Sequence, residues 1–396
     1  MQALDGIRVL DLGNYIAGPF CATVLGEFGA DVIKVERPGT GDLTRRFGTE
    51  TECGDTLVWL SEGRNKRSVT LDLQQPQGRE LLAELIEGAD VVIENFRPGV
   101  MERWGFGPDA IKALNPRTVV VRVSAYGQTG PNSDQPGFAR IAHAFSGLAY
   151  LAGEPDGPPV TPGSTSLADY VTGLYGVVGT LLALRARETT GEGQVVDLTL
   201  FEPIFRMLDE LAPAYQQFGT VRERMGADTV NVLPHSHYEC RDGTWLAIAC
   251  TNDEMFRRLA GVMGRPELAD DDQWGPKARR LAARDEVNAA VGAWVGSVTC
   301  DEALAACRTH QVPAGRLNSI ADIFEDPQYL HRETIVEVPS RIGPLKVPGT
   351  IPALSETPGE IRFLGAELGA HTDDVLGELL HRTTEQIAAL RADGVI

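Results

Sequence analysis

A chain of 396 residues, 43% hydrophobic and 23% charged, holds enough apolar material for more than one core and is not a disordered polymer. Its formal net charge of −19 argues against nucleic acid, whose phosphates need a cationic surface, but leaves room for a small anion in a locally basic pocket. Six scattered cysteines without a CxxC pair, and no leader-like segment before the first strand, predict a cytoplasmic protein with reduced thiols.

Residues 7–12 form an apolar run suited to a buried strand. A loop follows at 13–18, and Pro19 fits the first turn of a helix, where its missing N–H is harmless. Phe20, Val24, Leu25 and Phe28 give that helix an apolar face, Gly29 ends it, and 31–36 is the next strand. The unit is β-α-β, with parallel strands and a right-handed crossover. The alternation continues with a helix at 78–87, a strand at 91–93, a helix at 109–114 and a strand at 118–123, which predicts a doubly wound α/β domain. Helices are expected at 141–148, 169–187 and 202–217, and a strand at 195–200. The apolar run 170–184 is too short to span a bilayer comfortably and reads as a buried helix, so no membrane association is expected.

Composition changes near residue 220. A strand at 244–250 and helices at 253–263, 286–295 and 300–309 suggest a smaller α+β domain over 221–327, with Thr299 and Glu302 as a capping box. A tail over 328–396 carries a strand near 334–338 and a final helix after Thr383.

Glu36 at the end of the second strand would suit a dinucleotide ribose, but the preceding loop reads GNYIAGP and has no G-x-G-x-x-G. NAD binding is therefore disfavoured, and Glu36 reads as an ordinary strand-end residue.

Several motifs recur in one order along nearly the whole chain. They are GIRVLDLGNYIAGPFCATVLGEFGADVIKVERPGTGD from Gly6, GRNKRSVTLDL from Gly63, ADVVIENFRPGVMERWGF from Ala89 and SAYGQTGP from Ser124, then LADYVTGLYG from Leu167, TGEGQVVDLTLFE from Thr190 and LGAHTDDVL from Leu368. Together they resemble the class III CoA-transferase (CaiB/BaiF) family, which contains formyl-CoA transferase. The resemblance implies a large Rossmann-like domain, 1–220, joined by the returning tail 328–396. It also implies a small inserted domain at 221–327 and two subunits interlocked as a homodimer.

By the same resemblance Asp169 matches the family's nucleophile, which forms an aspartyl-acyl anhydride and then an aspartyl-CoA thioester. CoA esters would be substrates, with no permanently bound cofactor and no metal. From local context alone Asp169 reads first as an N-cap, where free N–H groups and the helix dipole would stabilise its carboxylate. Gly173 and Gly176 would let a pantetheine arm or a neighbouring helix approach. CoA's phosphates call for cations and N–H donors. The resemblance assigns Tyr15, Ile16, Ala17, Arg37, Lys66, Asn95, Phe96 and Arg103 to CoA, while Arg64 and Arg97 are weaker candidates that read equally as surface arginines.

Two departures matter. The glycine-rich loop of formyl-CoA transferase has no counterpart, and the corresponding stretch, NVLPHSHYEC, holds His235 and His237 as possible substrate contacts or ordinary histidines. Its absence favours succinyl-CoA or another dicarboxylyl-CoA as donor and acceptors such as malate, mesaconate, citramalate or itaconate. The family's 2-methylacyl-CoA racemases carry a GHD histidine, and here that position reads Gly137-Phe138-Ala139. Racemisation, or a non-catalytic CoA-binding module, is the alternative reading.

Overall fold

A computed structural model describes residues 1–396. In chain order the first half contains β1 (Arg8–Asp11), α1 (Ala17–Glu27), β2 (Asp31–Glu36), α2 (Leu57–Glu62), β3 (Lys66–Thr70), α3 (Pro76–Glu87) and β4 (Val91–Glu94). There follow α4 (Val100–Arg103), α5 (Pro108–Leu114), β5 (Val119–Ser124), α6 (Ala139–Phe145), α7 (Leu148–Leu151), α8 (Leu167–Thr190), β6 (Val195–Thr199), α9 (Glu202–Arg206) and α10 (Leu211–Phe218). The six strands make one parallel sheet in the order β3-β2-β1-β4-β5-β6. This is the doubly wound order, whose direction reverses between β1 and β4.

Strand residues alternate between two apolar layers. Val9, Val32, Val91, Ile93, Val119 and Val121 face α1 and α8, while Leu10, Ile33, Val69, Val92 and Val120 face α3 and α5. Both faces are covered, as a parallel sheet requires. Gly173 and Gly176 of α8 lie against α1: a Cβ on Gly173 would stand 2.8 Å from the Ala17 carbonyl oxygen, and one on Gly176 would stand 3.1 Å from Cys21 Sγ. These glycines therefore admit a neighbouring helix.

The next elements are β7 (His235–Glu239), β8 (Trp245–Ala249), α11 (Asp253–Val262), α12 (Lys277–Ala282), α13 (Arg284–Val295), α14 (Cys300–Thr309), β9 (Ala314–Arg316), α15 (Ile320–Glu325) and α16 (Pro327–His331). β7, β8 and β9 form an antiparallel sheet, against which α11, α13 and α14 bury Leu259, Val291, Val295 and Ala303. Thr299 and Glu302 form the capping box of α14. The chain ends with the hairpin β10 (Ile335–Ser340) and β11 (Gly343–Pro348), then α17 (Thr372–Leu380) and α18 (Thr384–Ala392).

Contacts divide the chain into two compact units: 1–149 with 161–220 and 330–396, and 150–160 with 221–329. The C-terminal segment joins the first unit. Val375, Leu376, Ile387 and Val395 enter its core, and the Asp72 N–H donates to the Val395 carbonyl at 2.7 Å.

Two local expectations need correction, and one strand is added. The stretch 202–217 is two helices, α9 and α10, broken at 207–210, where Asp209 takes φ 40°. A strand absent from the sequence reading, β3, is formed by the basic stretch that begins at Lys66. The apolar helix α8 has 24 residues and is long and apolar enough, by length and composition, to cross a membrane; one side is buried beneath α1 and the sheet, and the other exposes Leu174, Val178, Leu181 and Leu182.

Candidate active site

Every strand of the parallel sheet sends the segment at its C-terminal end to one cavity of about 570 Å³. Its wall comprises 12–17 after β1, Glu36 and Arg37 with 40–43 and Arg46 after β2, 71–74 after β3, 95–98 after β4, 123–125 after β5 and Leu200 after β6. Gln135, Pro136, Gly137, Phe138, Trp104 and Asp169 complete it. A crevice at the carboxyl ends of the strands, where strand order reverses, is where this architecture binds ligands.

Asp169 is the third residue of α8, whose N-cap is Ser166. The amides that a first-turn carboxylate would use are engaged elsewhere. The Ala168 N–H donates to His143 Nε2 at 3.0 Å, and the N–H groups of Asp169 and Tyr170 both donate to the Ser166 carbonyl. Burial therefore dominates and pushes the Asp169 carboxyl up to about 7. This reverses the expectation that the helix terminus would hold the carboxylate ionised. His143, from α6, is fully enclosed and its Nδ1 has no partner. Burial, with Arg140 nearby, lowers its pKa and favours the neutral ring that Ala168 needs as an acceptor.

The cations of the wall differ from those just behind it. Arg45 is buried, donating to Glu36 at 2.7 and 2.8 Å and to Asp55 at 3.0 Å, and its guanidinium lies 3.8 Å from the Trp59 ring centre. Its charge is neutralised within the protein. Arg37, Arg46 and Arg97 reach the wall and form no ion pair. Arg46 donates to the Thr40 carbonyl, which leaves its charge unbalanced; on an acidic chain, three guanidiniums without a carboxylate partner around one cavity make a local anion site. Glu36 is no ribose ligand: it accepts from Arg45, from Ser68 Oγ at 2.6 Å and from the Asp42 N–H at 2.8 Å.

Tyr15, Ile16, Ala17, Arg37, Asn95 and Phe96 all line the cavity. Lys66 does not. It is 1% exposed and binds Asp11 at 2.9 Å and the Pro19 carbonyl at 2.6 Å, so its ammonium is directed inward and the expected CoA contact is corrected. Arg103, at the exposed end of α4, stands outside the wall, as does Arg64, which bonds the Ser61 and Pro348 carbonyls. His235 and His237 lie on the strand β7 in the second unit and line none of this cavity. The segment 71–74 and Arg46 escaped notice in the sequence. Recognising β3 as a parallel strand would have drawn attention to the residues after it.

The model described as CoA-transferase family III matches residues 4–372. The chain belongs to CoA-transferase family III. It is 54% identical to the succinyl-CoA–L-malate CoA-transferase beta subunit of Chloroflexus aurantiacus, over 99% of this chain and 98% of that one. It is 52% identical to the alpha subunit from the same organism, over 99% of this chain and 92% of that one. Among solved structures, a CAIB/BAIF family protein from Brucella suis superposes with a TM-score of 0.84 at 33% identity, covering 96% of this chain and 99% of that one. The chain is thus a CoA-transferase with the mixed α/β fold and parallel six-stranded sheet of its family.

Proposed function

We propose that this enzyme transfers CoA from succinyl-CoA to a carboxylic acid, with a dicarboxylic hydroxy acid such as malate as the leading acceptor, and that Asp169 is its nucleophile. The observation that carries the reading is the Asp169 carboxyl in the wall of the strand-end cavity, held in a poorly solvated setting, in a chain of this family. The donor is supported by relatives named for succinyl-CoA.

In this scheme the Asp169 carboxylate attacks the thioester carbonyl, forming a succinyl-aspartyl anhydride and releasing CoA thiolate. The thiolate attacks the aspartyl carbonyl, making an aspartyl-CoA thioester and freeing succinate. The acceptor carboxylate then attacks that thioester, giving a second anhydride and the thiolate once more. Finally the thiolate attacks the acceptor's acyl carbonyl, producing the new CoA ester and restoring Asp169. Each step exchanges one activated acyl for another, so no ATP is consumed. A desolvated carboxylate suits this work, because weak hydration leaves its lone pairs reactive.

The CoA ester is assigned to Tyr15, Ile16, Ala17, Asn95 and Phe96, with Arg37, Arg46 and Arg97 available to its phosphates. Phe138, where a racemase would carry its histidine, has no proton to exchange, which supports transfer over racemisation. The working form is taken to be the family's homodimer, and the free thiols suit a cytoplasmic setting. The test is to mix succinyl-CoA with malate, citramalate, mesaconate and itaconate without ATP and follow new CoA esters by mass spectrometry. Transfer predicts at least one new ester and stoichiometric succinate; release of free CoA alone would point to hydrolysis and contradict it.

A further inference from the structure

The loop between β1 and α1 forms one side of the cavity, and side chains from the strands and from the loops that follow them hold its backbone atom by atom. The Gly13 N–H donates to Asp11 Oδ1 at 3.0 Å, and the Gly13 carbonyl accepts from Lys34 Nζ. Asn95 locks Asn14 on both sides, accepting from its N–H at 2.8 Å and donating to its carbonyl at 2.7 Å. The Tyr15 N–H donates to Asp42 Oδ1 at 3.2 Å. Tyr15 itself sits at φ 61°, a left-handed conformation that a bulky side chain adopts only when its surroundings impose it. In the first turn of α1, the Pro19 carbonyl receives Lys66 Nζ at 2.6 Å.

The two lysines share an acid. Asp11 lies 3.4 Å from Lys34 Nζ through one oxygen and 2.9 Å from Lys66 Nζ through the other. Asp42 supplies the second negative charge, its Oδ2 standing 2.8 Å from Lys34 Nζ as an ion pair outside hydrogen-bonding alignment. Asp11 and Lys34 are 0% exposed, Lys66 1% and Asp42 2%. Two acids balance two bases. Replacing such buried pairs with apolar residues is often neutral for stability, so stability alone does not account for the cluster. Fixing one backbone shape does. The lysines reach no part of the cavity; the carbonyls they hold belong to the segment that lines it, residues 13–17, and to the helical turn just after.

We propose that Lys34 and Lys66 are positioning residues that, through Asp11 and Asp42, clamp the 13–19 segment into its ligand-receiving shape before the CoA ester arrives. This rests on the reading of the cavity as the CoA site and adds how that site is pre-organised. A loop fixed in advance loses little conformational freedom on binding, so its effect falls on affinity more than on chemistry.

The test uses the full-length chain, with Lys66→Met and the charge-balanced pair Asp11→Asn/Lys66→Met. CoA binding is measured by calorimetry, kinetics with succinyl-CoA, and amide exchange over 12–19 by mass spectrometry. In ligand-free wild type the Asn14 and Tyr15 amides should already exchange slowly and slow little further with CoA. In the variants they should exchange freely, CoA should bind about tenfold more weakly, and kcat should change less than about threefold. Wild-type loop amides that exchange freely until CoA is added would overturn the clamp, and this arm needs no variant to fold. Folded variants with wild-type affinity, or a lower kcat at unchanged KM, would overturn it too. Because CoA binding is read without turnover, a wild type that binds CoA but transfers nothing would sink the transfer reading and leave the clamp standing.

Discussion

The carboxyl of Asp169 sits in the first turn of a helix, yet the nearby amides serve His143 and Ser166. Its proton affinity is accordingly set by burial, near 7 against the ordinary 3.8. Between those values the folded protein keeps a proton that the unfolded chain has released. Stability linked to this group is thus present below about pH 4 and lost as pH rises through about 7. Asp169→Asn should raise the melting temperature at pH 8, by about 2–4 kcal/mol in stability, and change it little at pH 4, as differential scanning calorimetry can read. The same substitution should lower transfer by about a thousandfold or more. In the wild type kcat/KM should climb with pH and level off above about 7, because only the ionised carboxylate attacks. A rate independent of pH from 5 to 8 would assign the chemistry elsewhere. Among the cations, Arg37→Glu should raise KM for succinyl-CoA by about tenfold or more, whereas the same change at Arg103, outside the wall, should do much less.

The packing of α1 against α8 ties the loop that borders the cavity to the helix that carries Asp169, and glycine makes the approach feasible. Gly173→Val would drive a branched side chain against the Ala17 carbonyl, 2.8 Å from where its Cβ must stand. The expected outcome is a loss of about 1–3 kcal/mol in chemical denaturation, together with weaker CoA binding. Gly261, whose Cβ would meet nothing, should accept alanine without loss. Much of this layer was legible from sequence. The β1-α1-β2 unit announces itself because apolar runs, Pro19 and Gly29 all agree about where elements begin and end. β3 was hidden because four of its five residues, Lys66, Arg67, Ser68 and Thr70, are polar. The burial of the first three depends on Asp11, Asp31 and Glu36, partners far away in the chain. The same long-range pairing explains why Lys66 reads as a phosphate ligand in sequence and turns inward in the fold. The glycines of α8 were noticed, but whether they admitted a substrate arm or a helix depended on where α1 lies.

At the scale of the whole molecule, one face of α8 leaves Leu174, Val178, Leu181 and Leu182 exposed, and Phe205, Met207, Tyr215 and Phe218 are exposed on and beside α9 and α10. So much uncovered apolar side chain on a chain of 42.7 kDa is unusual for a monomer. The homodimer proposed above would cover it. Sedimentation equilibrium should give twice the mass of one chain, unchanged on dilution through the micromolar range. A concentration-independent monomer would contradict that assembly. Sequence patterning marks these residues only as the apolar part of helices; which of them face outward depends on which side of α8 the sheet and α1 take. The net charge of −19 is likewise silent about the cavity, because the arginines that matter are the few without an acidic neighbour.

The central claim is that Asp169 carries the acyl group and then CoA. The most direct measurement is to mix the enzyme with succinyl-CoA alone, trap the activated carboxyl with hydroxylamine and locate the modification by peptide mass. A hydroxamate on Asp169 is expected, forming only when succinyl-CoA is present. An unmodified Asp169 in enzyme that turns over, or full transfer by Asp169→Ala, would contradict it.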